Sequence, residues 1–224
     1  MKRHARAEVV AAYRAAFSPT WSDQDPIDAV RFVVLDTETT GLDPRCDSIV
    51  SIGAVAVSDC QIVLGDTFEA LVRVRYNTAA TVVHGITRDE ARAGMAEVDA
   101  VCAFLDYLKD GVIVGHHIGH DIAMLDAACR RHFGCSLLNR HLDTGGLFLH
   151  LERDGAFADQ TQRTTLSLDG LCERFSILPY DRHTAPGDAF LTAQVLLRLM
   201  RFAARSGRGT LSALCEPYTS HGQL

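Results

Sequence analysis

Val33-Val34-Leu35-Asp36-Thr37-Glu38-Thr39-Thr40-Gly41-Leu42 is the stretch on which the reading of the fold turns. An apolar, β-branched run gives way to two carboxylates two positions apart, then to small polar residues and a glycine. That is the pattern of a buried strand emerging at the edge of a sheet. Side chains alternate along a strand, so Asp36 and Glu38 share a face. Like charges held side by side on a rigid strand repel unless something positive lies between them. Hard carboxylate oxygens suit a divalent ion such as Mg²⁺ or Mn²⁺. A D-x-E pair also arises roughly once by chance in a chain of ordinary composition, as a solvated strand end. Its meaning therefore rests on partners further along.

The 224 residues are enough for one well-buried α/β domain and too few for two large ones. Hydrophobic residues at 47% and charged residues at 22% are ordinary for a soluble globular protein. With a net charge of −6 and no long Lys/Arg block, nucleic acid would be held by a local site and metals, not by a broad basic face. Met1-Lys2-Arg3-His4-Ala5-Arg6 resembles the basic start of a signal segment, but Glu8, Tyr13 and Arg14 break any apolar run after it. No membrane-spanning stretch is expected. The seven cysteines (46, 60, 102, 129, 135, 172 and 215) form no C-x-x-C pair, and most sit in apolar patterns as reduced core cysteines do. A cytoplasmic protein without structural zinc is expected.

Along the chain, residues 3–17 have helical spacing, with Ala7, Val10, Ala11, Arg14 and Phe17 on one side; Ser18-Pro19-Thr20 stops the helix. Trp21 to Pro26 reads as a polar linker. Residues 1–28 are thus expected to form a helical arm packed on the main domain, 29–204 the domain itself, and 205–224 a tail. Three strands are predicted, over Arg31–Asp36, Ser48–Val57 and Ile62–Phe68 continuing towards Val72. The short turn at Ser58-Asp59-Cys60-Gln61 suits an antiparallel meander. Val83-His84-Gly85-Ile86-Thr87 leads into a short helix that Thr87 and Glu90 can cap, and Ala96–Lys109 is an amphipathic helix. A buried strand over 112–116 precedes a helix over 119–132. Leu142-Asp143-Thr144 reads as a short strand leading to a helix around Leu147–Leu151. Residues 153–164 read as a polar, mobile loop, Leu166–Phe175 as helix, and Gly187–Ala204 as a long apolar helix. Strands first, then strands alternating with helices, describe an α/β fold: one mixed sheet, its first three strands an antiparallel meander and the later ones parallel, covered by helices.

Downstream groups give the D-x-E pair its partners. Asp121 falls in the opening turns of the helix after the 112–116 strand, where the helix dipole alone favours an acid. If that strand pairs beside the Asp36 strand, Asp121 arrives at the same sheet edge, the usual place for an α/β site. In His183-Thr184-Ala185-Pro186-Gly187-Asp188-Ala189, Pro186 belongs in a first helical turn. His183 then sits on the loop and Asp188 in the first turn of the last long helix. A loop imidazole beside metal-bound carboxylates can take a proton from water; without them it is a solvated side chain.

Taken together, Asp36, Glu38, Asp121, His183 and Asp188 resemble the DEDDh exonucleases, the DnaQ-like group that includes epsilon-type polymerase proofreading subunits, RNase T and oligoribonuclease. The resemblance runs from about Arg31 to about Arg201. It rests on Asp36-Thr37-Glu38-Thr39-Thr40-Gly41-Leu42, His84-Gly85-Ile86-Thr87, the Asp121 segment, Leu168-Asp169-Gly170-Leu171-Cys172 and His183-x-Ala185-x-x-Asp188-Ala189, in that order. It implies an RNase H-like fold and a two-metal 3′→5′ hydrolysis of phosphodiesters with two Mg²⁺ or Mn²⁺ ions. By analogy Asp36 bridges both ions, Glu38 and Asp188 complete one site, Asp121 supports the other, and His183 is the general base. The chemistry agrees: two cations roughly 4 Å apart activate an attacking water and stabilise the departing 3′-oxygen.

In His116-His117-Ile118-Gly119-His120-Asp121, His117 and His120 stand where many relatives have Asn and Phe. Both read as tolerated variants; a sharper alternative has one of them touching substrate or altering metal preference. Thr39, Thr40, Gly41 and Leu42 are expected to cradle the terminal nucleotide, Leu42 wedging against its base, with His84 and His117 nearby. For Leu42 and His84 local packing is an equal alternative. Phe17 and Trp21 read as core rather than as base-stacking residues. The resulting expectation is an exonuclease on 3′ ends of single-stranded or frayed DNA, in proofreading or repair, with a DNA polymerase subunit as partner. A second reading moves the chemistry to short RNA or tRNA ends. A third, of another class, is a non-catalytic module binding a polymerase or nucleic-acid ends. An inactive copy is free to lose one of the five groups, yet all five are present.

Overall fold

A computed structural model describes residues 3–74, 86, 92–157 and 164–215. Its sheet holds β1 (Phe32–Thr39), β2 (Ile49–Ser58), β3 (Gln61–Leu71), β4 (Val112–Gly115) and β5 (His141–Asp143) in the order β3-β2-β1-β4-β5. β1 lies at the centre, antiparallel to β2 and parallel to β4; β2–β3 is antiparallel and β4–β5 parallel. The meander continued by parallel strands is therefore present as the pattern required. The described helices are α1 (Arg3–Ala15), α2 (Glu97–Leu108), α3 (Gly119–Phe133), α4 (Thr144–Arg153), α5 (Leu168–Arg174), α6 (Ala185–Arg205) and α7 (Leu211–Cys215).

Period-two alternation divides the core between the two faces. Phe32 and Val34 of β1, with Val55 and Val57 of β2, bury against α4, α5 and α6. Val33 and Leu35, with Ile52, Ala54 and Ile113, bury against α2 and α3. Asp36 and Glu38 continue the first series, so both emerge on the α6 side, while Thr37 emerges on the other.

One glycine sets how closely α6 can approach. Gly53 of β2 is the cross-strand partner of Asp36. A Cβ there would lie 2.2 Å from Pro186 N and 2.3 Å from Ala185 C, both main chain at the start of α6. The missing side chain lets the α6 N-terminus rest on the sheet next to Asp36. Gly53→Ala should therefore push the helix off, at a cost of roughly 1–3 kcal/mol. Thermal melts should show that loss. A variant with wild-type melting would refute this role for Gly53.

The arm helix packs on the domain: Phe17 joins the α2–α3 core, Trp21 joins the other, and Trp21 Nε1 donates to Asp110 O at 3.0 Å. Tyr13 Oη, buried, donates to Asn139 Oδ1 and accepts from Leu138 N. α5 starts two residues later than predicted because Ser167 caps it, accepting from Gly170 N at 3.1 Å. Residues 153–157 do not behave as a free loop; Phe157 is buried, stacked on Phe148 and edge-on to Phe202. The other half of that predicted loop, 158–163, lies outside the described residues, as do His84 and the Thr87–Glu90 cap. The described cysteines are all free thiols, four of them buried. No described helix is long and apolar enough to cross a membrane.

Candidate active site

Three carboxylates meet where β1 leaves the sheet. Asp36 and Glu38 are half-buried, Asp188 is buried, and one oxygen from each lies within 4.8 Å of the others. β1 supplies the first two by alternation. The third comes from α6, whose start the sequence organises tightly. Thr184 is the N-cap, its Oγ1 accepting from Gly187 N at 3.1 Å, and Pro186 occupies the first turn. Asp188 thus sits one turn into the helix.

Asp121 lies beside this trio but is already engaged. It is 5% exposed, and its Oδ1 accepts from Thr37 N at 2.9 Å and from Thr37 Oγ1 at 2.6 Å. It is absent from the three-carboxylate cluster found among the described residues. Its nearness is nonetheless felt by both β1 acids. Burial raises the Asp36 carboxyl well above its ordinary range, and Asp121, Asp188 and Glu38 raise it further. Burial, then Asp188 and Asp121, push Glu38 up to about 7.

The sign of the Glu38 shift makes a test. In the unfolded chain Glu38 titrates near 4.5 and in the metal-free fold near 7, so the folded state binds the proton more tightly. Its deprotonation penalty is full above about pH 7 and is relieved as pH falls towards about 4.5. In EDTA, Glu38→Gln should melt higher than wild type at pH 8, and the advantage should shrink at pH 5. An equal advantage at both values would show that Glu38 is not the strained group.

These features bear on whether the cluster fits a divalent cation. Three hard oxygen donors converge on one volume, and the acids there cannot all ionise without a counter-charge. Ser51, the cross-strand partner of Glu38, has a buried hydroxyl with no hydrogen-bond partner among the described residues. Converging anions beside an unsatisfied hydroxyl form a cradle of the kind a hydrated cation fills. The residues fit.

His183 is exposed on the loop before α6, in a left-handed conformation with φ 63°, two residues after Asp181 with φ 56°. Asp and His tolerate that region better than most residues, yet two in one short turn mark a constrained segment. The turn is tied by Thr184 Oγ1, which donates to Asp181 O at 2.8 Å. His183 is thus open to solvent rather than buried. Between the two lies Arg182, which the sequence reading overlooked. Its Nη1 donates to Asp188 Oδ1, and its Nε donates to Asp169 Oδ1 at 2.7 Å.

The segment after Glu38 forms a braced loop. Asp47, also overlooked, accepts from Thr40 Oγ1 at 2.8 Å and from Asp43 N at 3.0 Å. A Cβ on Gly41 would collide with that carboxylate at 2.5 Å. The Thr40 hydroxyl therefore serves the loop's own structure. Thr39 Oγ1 donates to Gly41 O at 2.9 Å and lies 3.2 Å from His120 Nε2. With the hydroxyl hydrogen committed to Gly41, the imidazole is the donor to Thr39, so His120 props the loop. Leu42 projects into solvent, 83% exposed, with no packing role of its own. His117 is exposed, with φ 56° and its ring 4.4 Å from that of His116.

A family model described as "Exonuclease", of RNase T type, matches residues 33–196, which include Asp36, Glu38, Asp121, His183 and Asp188. The chain belongs to this exonuclease family. This is the family to which the DEDDh, DnaQ-like resemblance of the sequence pointed. Similar proteins include the PolC-type DNA polymerase III of Thermotoga maritima, 31% identical over 195 residues, spanning 86% of this chain and 14% of that protein. The DNA polymerase III subunit epsilon-like protein of Rhodobacter capsulatus is 34% identical over 209 residues, spanning 90% of this chain and 28% of that protein. The chain thus spans less than a third of the length of either relative. Among solved structures, E. coli exonuclease I in complex with a dT13 oligonucleotide superposes with a TM-score of 0.68 at 18% identity, over 79% of this chain and 42% of that one. The shared architecture is the RNase H-like fold.

Proposed function

We propose that this exonuclease removes nucleotides from the 3′ ends of single-stranded or frayed DNA, using two Mg²⁺ or Mn²⁺ ions, in proofreading or repair in the cytoplasm. The observation that carries the reading is the convergence of Asp36, Glu38 and Asp188 on one volume. Asp36 would be shared between the ions, Glu38 and Asp188 would complete one site, and Asp121 would support the other. When bound, such ions supply the positive charge that activates water and stabilises a departing 3′-oxygen. His183 accepts the water proton, its ring exposed on the loop that leads into α6. The backbone of Thr39 to Gly41 receives the terminal nucleotide, Leu42 wedges against its base, and His117 flanks the strand. DNA as substrate is supported by the names of the relatives, DNA polymerase III of PolC type and an epsilon-like subunit, and by the oligonucleotide bound to exonuclease I. The same names support a DNA polymerase as working partner.

The test is cleavage of single-stranded DNA, duplex DNA and RNA, each labelled at either the 3′ or the 5′ end. The expected result is immediate release of a labelled mononucleotide from 3′-labelled single-stranded DNA, dependent on Mg²⁺ or Mn²⁺ and abolished by EDTA. Preferential release from RNA would move the substrate to RNA ends. Activity persisting in EDTA would overturn the metal reading, and binding without cleavage would make the chain a nucleic-acid-binding module.

A further inference from the structure

We propose that Arg182 is a stand-in cation: anchored on Asp169, it neutralises Asp188 when no metal is bound and competes with the metal for that carboxylate. The inference rests on the reading of Asp36, Glu38 and Asp188 as the metal site.

The guanidinium is held at two ends of unequal character. On one side Asp169 takes a fork, from Nε at 2.7 Å and from Nη2 at 3.3 Å, and its side chain is 60% exposed. On the other side the remaining nitrogen, Nη1, reaches Asp188, whose side chain is 11% exposed. The exposed pair is screened by water and contributes little energy, but its planar fork fixes the plane and direction of the guanidinium. The enclosed contact is the electrostatically consequential one, because charge interactions strengthen as water is excluded.

The backbone makes this placement durable. Arg182 stands between Asp181 and His183, both left-handed, in a turn that Thr184 ties to Asp181. The turn closes directly onto α6, since a Cβ on Gly187 would lie 2.0 Å from Asp181 O. Arg182 is therefore aimed at the cluster by the chain itself. Asp36 and Glu38 both feel its positive charge, which opposes the mutual repulsion of the acids.

A carboxylate cannot serve both cations equally. The oxygen bonded to Nη1 has less electron density to offer, and a guanidinium at contact distance repels a dication. In this proposal the dication draws Asp188 to itself and Nη1 withdraws, while the Asp169 fork retains the side chain. Arg182 is thus a positioning residue. It keeps the metal-free cluster folded and lowers its affinity for metal.

Two readouts on the full chain test this: Mn²⁺ affinity from the free-ion EPR signal, and melting temperature with and without saturating Mn²⁺. Arg182→Gln should bind Mn²⁺ on the order of tenfold more tightly than wild type. It should also melt lower without metal but like wild type once saturated. Arg182→Lys, which keeps the charge, should stay closer to the wild-type affinity, and Arg182→Met provides the same comparison if the Gln variant does not fold. Unchanged or weaker Mn²⁺ binding in a folded neutral variant would overturn the proposal, as would an equal melting loss with and without Mn²⁺. Wild type that binds no Mn²⁺ would instead remove the metal-site reading, and this inference with it.

Discussion

Asp36→Asn is expected to lower nucleotide release by at least about 10³-fold, while raising the melting temperature of the metal-free protein. Both effects have one source. Asp36 stands on the central strand, with Glu38 on the same face and Asp188 brought against it by the α6 start. Its carboxyl is held well above the ordinary range by burial and by three neighbouring acids. A neutral amide of the same shape removes the repulsion, and each kcal/mol so relieved raises melting by roughly 2–4 °C for a chain of this size. The same amide is a poor ligand for a hard divalent ion, so the variant should also lose the stabilisation that Mn²⁺ gives wild type. Asp188→Asn should lose activity equally but gain less stability, because it surrenders the Arg182 contact. Calorimetry in EDTA and in Mn²⁺, alongside single-turnover cleavage, separates these effects. An Asp36→Asn variant less stable than wild type in EDTA would show that the cluster is not strained.

The second large effect belongs to His183. His183→Ala should reduce the rate by about 10²–10⁴-fold, the usual contribution of a general base, while leaving Mn²⁺ affinity within about twofold of wild type. The separation comes from position. His183 lies on the loop, exposed, and outside the three-oxygen cluster. Its removal takes nothing from the donors, whereas any carboxylate substitution does. Oligonucleotide affinity measured in Ca²⁺ should change little, because the loss falls on the chemical step. If His183→Ala lost Mn²⁺ binding in parallel with activity, the imidazole would be part of the metal site instead.

The parts of this architecture that were legible in the sequence are those governed by period and by local signals. Alternation placed Asp36 and Glu38 on one face, and Pro186 marked the first turn of α6 and hence the position of Asp188, although the helix opens at Ala185 rather than about Gly187 because Thr184 caps it. The strand over 112–115 and the helix after it brought Asp121 to the expected sheet edge. What escaped depends on approaches between distant segments. Gly53 is unremarked in an apolar strand until the α6 main chain is found against it. Arg182 reads as a surface cation beside a more conspicuous histidine, and only the fold turns it towards Asp169 and Asp188. Asp121 reads as a free ligand, but its hydrogen bonds to Thr37 commit one oxygen to holding β1 and α3 together. Asp47 and His120 likewise act by bracing the loop beyond Glu38, a role with no signature in composition or spacing.

Locating Mn²⁺ by anomalous diffraction in crystals of the wild-type chain tests the central claim most directly. The expected result is an ion enclosed by Asp36, Glu38 and Asp188, a second near the Asp36 and Asp121 side, and the Arg182 guanidinium withdrawn from Asp188 but still on Asp169. Manganese bound elsewhere, or a cluster without metal whose Asp188 remains paired with Arg182 at saturating Mn²⁺, would contradict it.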